Sequence, residues 1–174
     1  MAIAGTAEQS LPAAGTYEID PVASAVRFDT RAVFGLLPVR GTFTISHGRI
    51  VVAESPEGSS VDVTMNASSF ESGNQQRDDH VRSSDYLDVA RHPEVGFRSQ
   101  SLDRSAQDAS LQGELTVCGV TQPVLVTITS VACEDKRITA GGTATIDRYA
   151  FGVTKAKGMT GRRLKITLEV VANR

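Results

Sequence analysis

The sequence predicts an all-β protein of about eight antiparallel strands, arranged as a barrel or a sandwich. The first observation is that apolar and polar residues alternate along many short runs, which is typical of strands with one buried and one solvated face. The second is that turn-forming residues separate these runs. The third is that no long helical pattern alternates with them, as it would around a parallel sheet.

Six of these strands are predicted from their own alternation. The apolar positions of period two are Val26 and Phe28; Phe43 and Ile45; Val61, Val63, Met65 and Ala67; Leu111, Leu115 and Val117; Val124, Val126 and Ile128; and Leu164, Ile166, Leu168 and Val170. Glycine, proline and serine predict turns at residues 46–48, 55–58, 119–123, 141–142 and 158–161.

The segment 69–93 interrupts this alternation of apolar and polar residues. It is rich in charged residues and has no run of period two, whereas Val81, Tyr86, Leu87 and Val89 have helical spacing. The segment ends at the His92–Pro93 step, which disfavours a further helical turn. We therefore place a short helical segment near residues 76–90.

The composition describes one globular domain. The chain has 174 residues, of which 40% are hydrophobic and 22% charged. We assign residues 1–14 to a flexible tail and residues 15–174 to a single domain. The net charge of −2 argues against a general nucleic-acid binder. No run approaches the roughly 18 apolar residues of a membrane span. The first residues do not read as a secretory signal, so a cytoplasmic location is expected.

Positive charge is concentrated near the carboxyl end. Residues 153–174 contain six Lys and Arg residues against one Glu. Such a cluster is most often a solvated hairpin face, and its alternative role is contact with an anionic headgroup.

No pattern indicates an enzyme, a metal site or a cofactor site. The sequence lacks a nucleophile elbow, a phosphate-binding loop and a dinucleotide fingerprint. The spacing of His80 and His92 fits no zinc motif. The acidic and basic residues near His80 could serve acid–base chemistry, but mutual ion pairing and helix capping are favoured. A turn near residues 120–121 would pair Cys118 with Pro123 and leave Cys133 too distant for a disulfide, so two free thiols are expected.

The inward-facing positions are almost all apolar. A barrel of about eight strands can fill with side chains or enclose one slim ligand. Periodicity alone leaves both alternatives open, although it favours a packed core.

Several sequence blocks together resemble the YceI-like family of lipocalin-like polyisoprenoid-binding proteins. In chain order they are GTYEIDPVASAVRF, VRGTF, NASSFESGNQQRDDHVRSSDYLDVARHPEVGFRS, LTVCGVTQPV and GTATIDRYAFGV. The resemblance runs from about residue 15 to residue 173. It departs from the family at Ala23 and Val33, where histidines are common, and at Cys118.

The resemblance implies an extended eight-stranded antiparallel lipocalin-like barrel with an apolar pore. The implied function is binding or carriage of a long isoprenoid-type lipid, such as a polyprenyl diphosphate or a quinone, without catalysis. The first alternative is a structural or stress-related barrel with a packed core. The second is an enzyme that acts on such a lipid through His80 with Asp78 or Asp79. A homodimer through a strand edge or the helical segment stays open.

The strand face on which each residue lies, together with the family resemblance, predicts the site residues. Polar contacts with the ligand head are expected from Arg77, Asp78, His80, Arg162 and Arg163, although closure of the barrel end is somewhat favoured for the first three. Asp147 and Arg148 are expected to lock a hairpin or a barrel end. The predicted apolar lining consists of Val26, Phe28, Phe43, Ile45, Val63, Met65, Phe70, Phe97, Leu115, Val117, Val126, Ile128, Ile146, Phe151, Leu164, Ile166 and Leu168.

Overall fold

The computed structural model describes residues 11–105 and 108–174, so most of the predicted tail at residues 1–14 lies outside the described residues. The elements are mainly strands: β1 (Gly15–Ile19), β2 (Ala25–Ala32), β3 (Leu37–Val52), β4 (Ser60–Glu71), β5 (Glu94–Arg104), β6 (Ala109–Val117), β7 (Val120–Glu134), β8 (Arg137–Asp147) and β9 (Arg163–Asn173). A single α-helix, α1 (Gln75–Arg82), follows β4, and short 3₁₀ turns lie at Pro56–Gly58 and Arg148–Phe151 in the described chain.

The sheet closes on itself as an antiparallel barrel. Its hydrogen-bonded order is β1-β3-β2-β9-β8-β7-β6-β5-β4, and the pairing of β3 with β4 joins the two sides. Strands β2 to β9 thus form a closed ring of eight, and β1 is an extra strand. The predicted eight-stranded barrel with a short helical segment is confirmed. Closure leaves few unpaired strand edges.

Strands β1 and β2 share one gap between β3 and β9. Strand β2 fills one part of this gap, and β1 fills the part next to Ala172. The turn between them is held by Asp20, whose carboxylate accepts hydrogen bonds from the backbone N–H groups of Val22 and Ala23. The Ser24 hydroxyl bonds to both backbone groups of Val171 in β9. The chain can therefore break its strand here without leaving polar groups of β9 unpaired.

Two of the predicted turns are wrong, because residues 46–48 lie within β3 and residues 141–142 lie within β8. The glycines there serve close packing rather than reversal of the chain. A Cβ atom on Gly48 would lie 2.7 Å from the Ile19 side chain, and one on Gly142 would lie 3.1 Å from Val126. At such positions the absence of a side chain lets the backbone lie close to its neighbours.

The β6–β7 turn is shorter than the sequence suggested. Val117 pairs with Val120, so Cys118 and Gly119 form a two-residue turn, and Pro123 pairs with Glu114 rather than with Cys118. Both turn residues have positive φ, 52° and 73°, as a type I′ turn requires. The thiols of Cys118 and Cys133 are both free, as expected.

Helix α1 is anchored to the end of β4. The Asn74 side chain accepts a hydrogen bond from the Arg77 N–H and caps the helix. Near the other end, Arg82 donates to the carbonyl oxygens of Ser68 and Phe70 at 2.9 and 2.5 Å. The helix ends at Arg82, earlier than residue 90. Residues 83–92, here called the mouth segment, continue as hydrogen-bonded turns.

A cluster of buried side chains fills the end of the barrel opposite α1. Tyr17, Ile138 and Ala172 belong to a cluster in which Tyr17 and Ala172 are 1% and 0% exposed. Near α1, Phe70 stacks on Phe28 at a centroid distance of 5.0 Å. We call the first region the closed end.

Within the described residues, no helix has the length and apolar character needed to cross a membrane.

Candidate functional site

The barrel encloses a cavity of about 730 Å³, which lies within the usual range of roughly 300–1,000 Å³ for ligand pockets. All seventeen apolar residues predicted for the lining contribute to its wall. Several of them, such as Phe43 and Ile166, are only half-buried although they point inward, because they face the cavity. That these residues contact a ligand stays a prediction.

Strand β8 adds small residues to this wall that the sequence reasoning missed. Ala140, Gly141, Gly142 and Ala144 line the cavity beside larger side chains from β7 and β9. Their small size leaves space where a leucine or phenylalanine would fill the barrel. The paired glycines looked like a turn, and only the strand register places them within β8, where Gly142 lies on the same face as Ala140 and Ala144.

The polar residues of the lining lie mainly around α1 and the loop before β9. We call this region the polar end; its polar residues are Asn74, Gln76, Arg77, His80, Tyr86, Arg148 and Thr160. The opposite end is closed by the cluster around Tyr17 and Ala172. The two ends of the cavity therefore differ in polarity.

Arg148 is the most unusual residue at the polar end. It is only 5% exposed, and its guanidinium donates to the carbonyl oxygens of Gly161, Val153 and Thr160 at 2.8, 2.8 and 3.0 Å. None of the described carboxylates lies within ion-pair distance of it. A guanidinium has five N–H donors, so Arg148 keeps spare donors and an uncompensated positive charge. These hydrogen bonds lock the loop before β9, as the sequence suggested, and Arg148 also lines the cavity, which the sequence reasoning missed.

Two tyrosine rings lie close to this guanidinium. It lies 4.9 Å from the Tyr149 ring centroid and 5.8 Å from that of Tyr86. Cation–π attraction adds to the hydrogen bonds that hold it. These contacts together hold the charge in one position.

Two of the predicted head contacts, Arg77 and His80, also line the cavity. Arg77 donates to the hydroxyl and carbonyl oxygens of Ser72 at 2.8 and 3.2 Å. The His80 ring lies 2.9 Å from a carboxylate oxygen of Asp85. That hydrogen bond, together with the charge of Lys155, lowers the pKa of Asp85.

The other three predicted head contacts lie outside the lining. Asp78 is buried, and its carboxylate accepts hydrogen bonds from the backbone and hydroxyl groups of Ser72. Arg162 binds both carboxylate oxygens of Asp147, at 3.0 and 2.8 Å, and thereby lowers the pKa of that carboxyl group. Arg163 is exposed at the start of β9.

The structure also locates two of the departures from the family pattern, Ala23 and Cys118. Ala23 lies exposed in the β1–β2 turn, outside the cavity lining. The Cys118 thiol donates to the carbonyl oxygens of Tyr86 and Leu87 at 3.4 and 3.2 Å and so joins the β6–β7 turn to the mouth segment. Burial, with a smaller contribution from Asp88, raises the pKa of this thiol.

The described residues contain no group of three or more His, Cys, Asp or Glu side chains that could hold a metal ion. The acid–base pairs considered for catalysis do not form either. His80 contacts Asp85, whereas Asp79 pairs with Arg82 at 3.2 Å.

A closed antiparallel barrel with an apolar interior and one polar end defines a small β-barrel of the cavity-enclosing class. The chain belongs to the YceI-like family, because the model of the YceI-like domain matches residues 17–172. A UPF0312 protein of Ectopseudomonas mendocina is 33% identical over 138 residues, which cover 75% of this chain and 72% of that protein.

Solved structures share the fold. BcnA of Burkholderia cenocepacia superposes with a TM-score of 0.80 at 23% identity, covering 89% of this chain and 99% of BcnA. A structure described as a polyisoprenoid binding domain from Saccharophagus degradans has a TM-score of 0.69 at 14% identity, covering 90% and 97% of the two chains. At these identities the similarity concerns the fold alone.

Proposed function

We propose that this protein binds one long isoprenoid-type lipid, a polyprenyl diphosphate or a quinone, with its chain inside the barrel. The observation that carries the proposal is the cavity of about 730 Å³, whose wall is apolar except at one end. Burial of hydrocarbon contributes about 0.8 kcal/mol per methylene group, so a long chain could be held without specific contacts. The polyisoprenoid binding domain of Saccharophagus degradans, which shares the fold, supports the same ligand class.

The direction of the ligand follows from the two ends of the cavity. The closed end is packed with apolar side chains, whereas the polar end carries Arg77, His80 and Arg148. The head group would therefore lie beside Arg148, whose charge has no carboxylate partner in the described chain. A diphosphate would supply that partner, and a quinone carbonyl would accept a hydrogen bond from the same group.

The proposal is for a binding protein without catalytic activity. Catalysis by His80 with Asp78 or Asp79 has no support in the geometry, since these groups are engaged with other partners. A wholly packed barrel is hard to reconcile with the cavity. Lipid transfer, a cytoplasmic location and a homodimer stay predictions.

The test is organic extraction of the purified full chain, followed by mass spectrometry of the extract. We expect one isoprenoid or quinone per chain, and its mass identifies both tail and head. The same protein, stripped of lipid, should take up added polyprenyl diphosphate or ubiquinone. No extracted lipid together with no uptake of either probe would contradict the proposal.

A further inference from the structure

The loop between β2 and β3 and the loop before β9 form one exposed projection, which we call the basic tip (residues 31–37 and 155–160). Backbone hydrogen bonds join the two loops, from Val33 N–H to the Met159 carbonyl at 2.6 Å and from Phe34 N–H to the Gly158 carbonyl at 2.9 Å. The tip therefore behaves as a single surface element.

Apolar side chains are unusually exposed on this tip. Seven large hydrophobic side chains are strongly exposed in the described chain, and four of them lie here: Phe34 at 74%, Leu36 at 76%, Leu37 at 55% and Met159 at 45%. Isolated exposed apolar residues are ordinary, but a cluster of them marks an interaction surface.

The backbone of the tip is held in a conformation that its residues disfavour. Val33 and Phe34 have φ values of 51° and 54°, in the left-handed region that β-branched and aromatic residues rarely adopt. This conformation leaves the Phe34 ring largely in water. Strain of this kind persists where the surrounding structure enforces it and is concentrated at functional sites.

Positive charge accompanies the apolar side chains. Arg31, Lys155 and Lys157 are exposed on the tip, and none of the described carboxylates lies within ion-pair distance of them. The nearby Asp29 and Asp147 are already paired with arginines. Apolar residues surrounded by basic ones match an anionic lipid surface, where acyl chains accept the former and phosphates the latter.

The tip adjoins the polar end of the cavity. Ala32 of β2 pairs with Thr160 in an isolated bridge, and both residues line the cavity wall. We propose that the basic tip docks on the surface of an anionic phospholipid bilayer and brings the polar end of the cavity against the membrane. Passage of a lipid from the bilayer into the barrel rests on the proposed function, whereas docking itself does not.

The chain contains no Trp, so Phe34→Trp introduces a single fluorescent reporter at the tip. With vesicles of phosphatidylcholine containing phosphatidylglycerol, its emission should shift to shorter wavelength as the ring enters the bilayer. Leu125→Trp is the matched control, because Leu125 is 53% exposed on β7, outside the tip. A shift at position 34 alone supports docking, and unchanged emission at position 34 overturns it.

The charge contribution is tested by vesicle co-sedimentation. Each basic residue near an anionic surface contributes enough to change the affinity about fivefold, so the double variant Lys155→Gln/Lys157→Gln should bind about 25-fold more weakly. Lys136→Gln, in the exposed β7–β8 turn, is the control and should bind like the parent chain. Equal weakening by the double variant and by Lys136→Gln would overturn the proposal. Vesicle binding that does not change with salt or with phosphatidylglycerol content would also overturn it.

A second copy of the chain is the competing occupant of the tip. Fluorescence of Phe34→Trp is therefore recorded against protein concentration without vesicles, alongside sedimentation velocity. A concentration-dependent blue shift with dimer formation would assign the tip to self-association and overturn membrane docking. A constant emission and a monomer would support docking.

The proposals of membrane docking and of lipid binding can be refuted independently of each other. Phe34→Ser/Leu36→Ser should lose vesicle binding and still bind farnesyl diphosphate in solution. A parent chain that docks but takes up no lipid would refute only the proposed function. A chain that binds farnesyl diphosphate but whose Phe34→Trp variant ignores vesicles would refute only docking.

Discussion

The hydroxyl group of Tyr86 lies 3.1 Å from the hydroxyl group of Thr160 and joins the mouth segment to the basic tip. Both residues line the cavity at its polar end. This is a contact between positions 74 residues apart in the chain. The proposed lipid, entering at the polar end, would pass this hydrogen bond.

Removal of this hydrogen bond should speed ligand exchange. One neutral hydrogen bond contributes about 0.5–1.5 kcal/mol, so Tyr86→Phe should release bound lipid roughly 3- to 10-fold faster. Stopped-flow displacement of a fluorescent polyprenyl analogue measures the rate. Tyr149→Phe removes a hydroxyl outside the cavity lining and should leave the rate unchanged. Identical release rates for Tyr86→Phe and the parent would show that this hydrogen bond does not limit ligand exchange.

A large side chain on the cavity wall should exclude ligand. Ala144 lines the cavity, so the ring in Ala144→Phe would occupy space that the lipid chain needs. We expect less than a tenth of the parent's extractable lipid, measured by mass spectrometry. The matched control is Ala132→Phe, because Ala132 is exposed on β7 and is not part of the lining. Retention of a full lipid complement in Ala144→Phe would show that the chain lies elsewhere.

The charge of Arg148 should select the head group. Charge-assisted hydrogen bonds contribute about 1.5–3 kcal/mol, so Arg148→Gln should weaken binding of a polyprenyl diphosphate by tenfold or more. Binding of the neutral polyprenol should change little, and it also reports that the variant is folded. Arg162→Gln, whose guanidinium pairs with Asp147 outside the lining, should affect neither ligand. Calorimetric titration measures both affinities. Equal losses for the two lipids would rule out a head contact.

The aromatic cluster near α1 should contribute strongly to stability. Phe70 is 6% exposed and contacts the rings of Phe28 and Phe43 at centroid distances of 5.0 and 5.5 Å. Truncation of such a residue removes about 3–5 kcal/mol from the free energy of unfolding, so Phe70→Ala should lower the urea midpoint sharply. Phe34→Ala, on a ring that is 74% exposed, should change the free energy by less than about 0.5 kcal/mol. Similar losses in both variants would contradict this assignment.

The Asp147–Arg162 pair should make stability depend on acidity. Arg162 lowers the pKa of Asp147 in the folded protein below its ordinary value of 3.8. A carboxyl group whose pKa is lowered by folding stabilises the protein above the unfolded pKa, and this contribution disappears as pH falls through the folded pKa. The urea midpoint of the parent should thus fall more on acidification than that of Asp147→Asn. Asp135→Asn, in the exposed β7–β8 turn, is the control and should follow the parent. Parallel curves for the parent and Asp147→Asn would contradict the linkage.

Alternation predicted six of the nine described strands and their inner faces, because side chains on neighbouring strand positions point to opposite sides whatever the neighbours are. Phe43 and Ile166 were placed on the inner face for this reason, and both line the cavity. Gly48 and Gly142 were misplaced in turns. Their true environment depends on how closely Ile19 and Val126 approach from other strands, and no local pattern records that distance.

The sequence by itself determined an all-β chain, its apolar inner faces, its short helix and the concentration of basic residues toward the carboxyl end. These properties depend on residues a few positions apart, so local periodicity and composition reveal them. Only the tertiary structure decided which end of the barrel is closed, that Arg148 is buried with no described carboxylate within ion-pair distance, and that Phe34 lies exposed beside the loop of Lys157. Those features arise from strand register and closure, which bring distant residues together and leave no local trace in the chain.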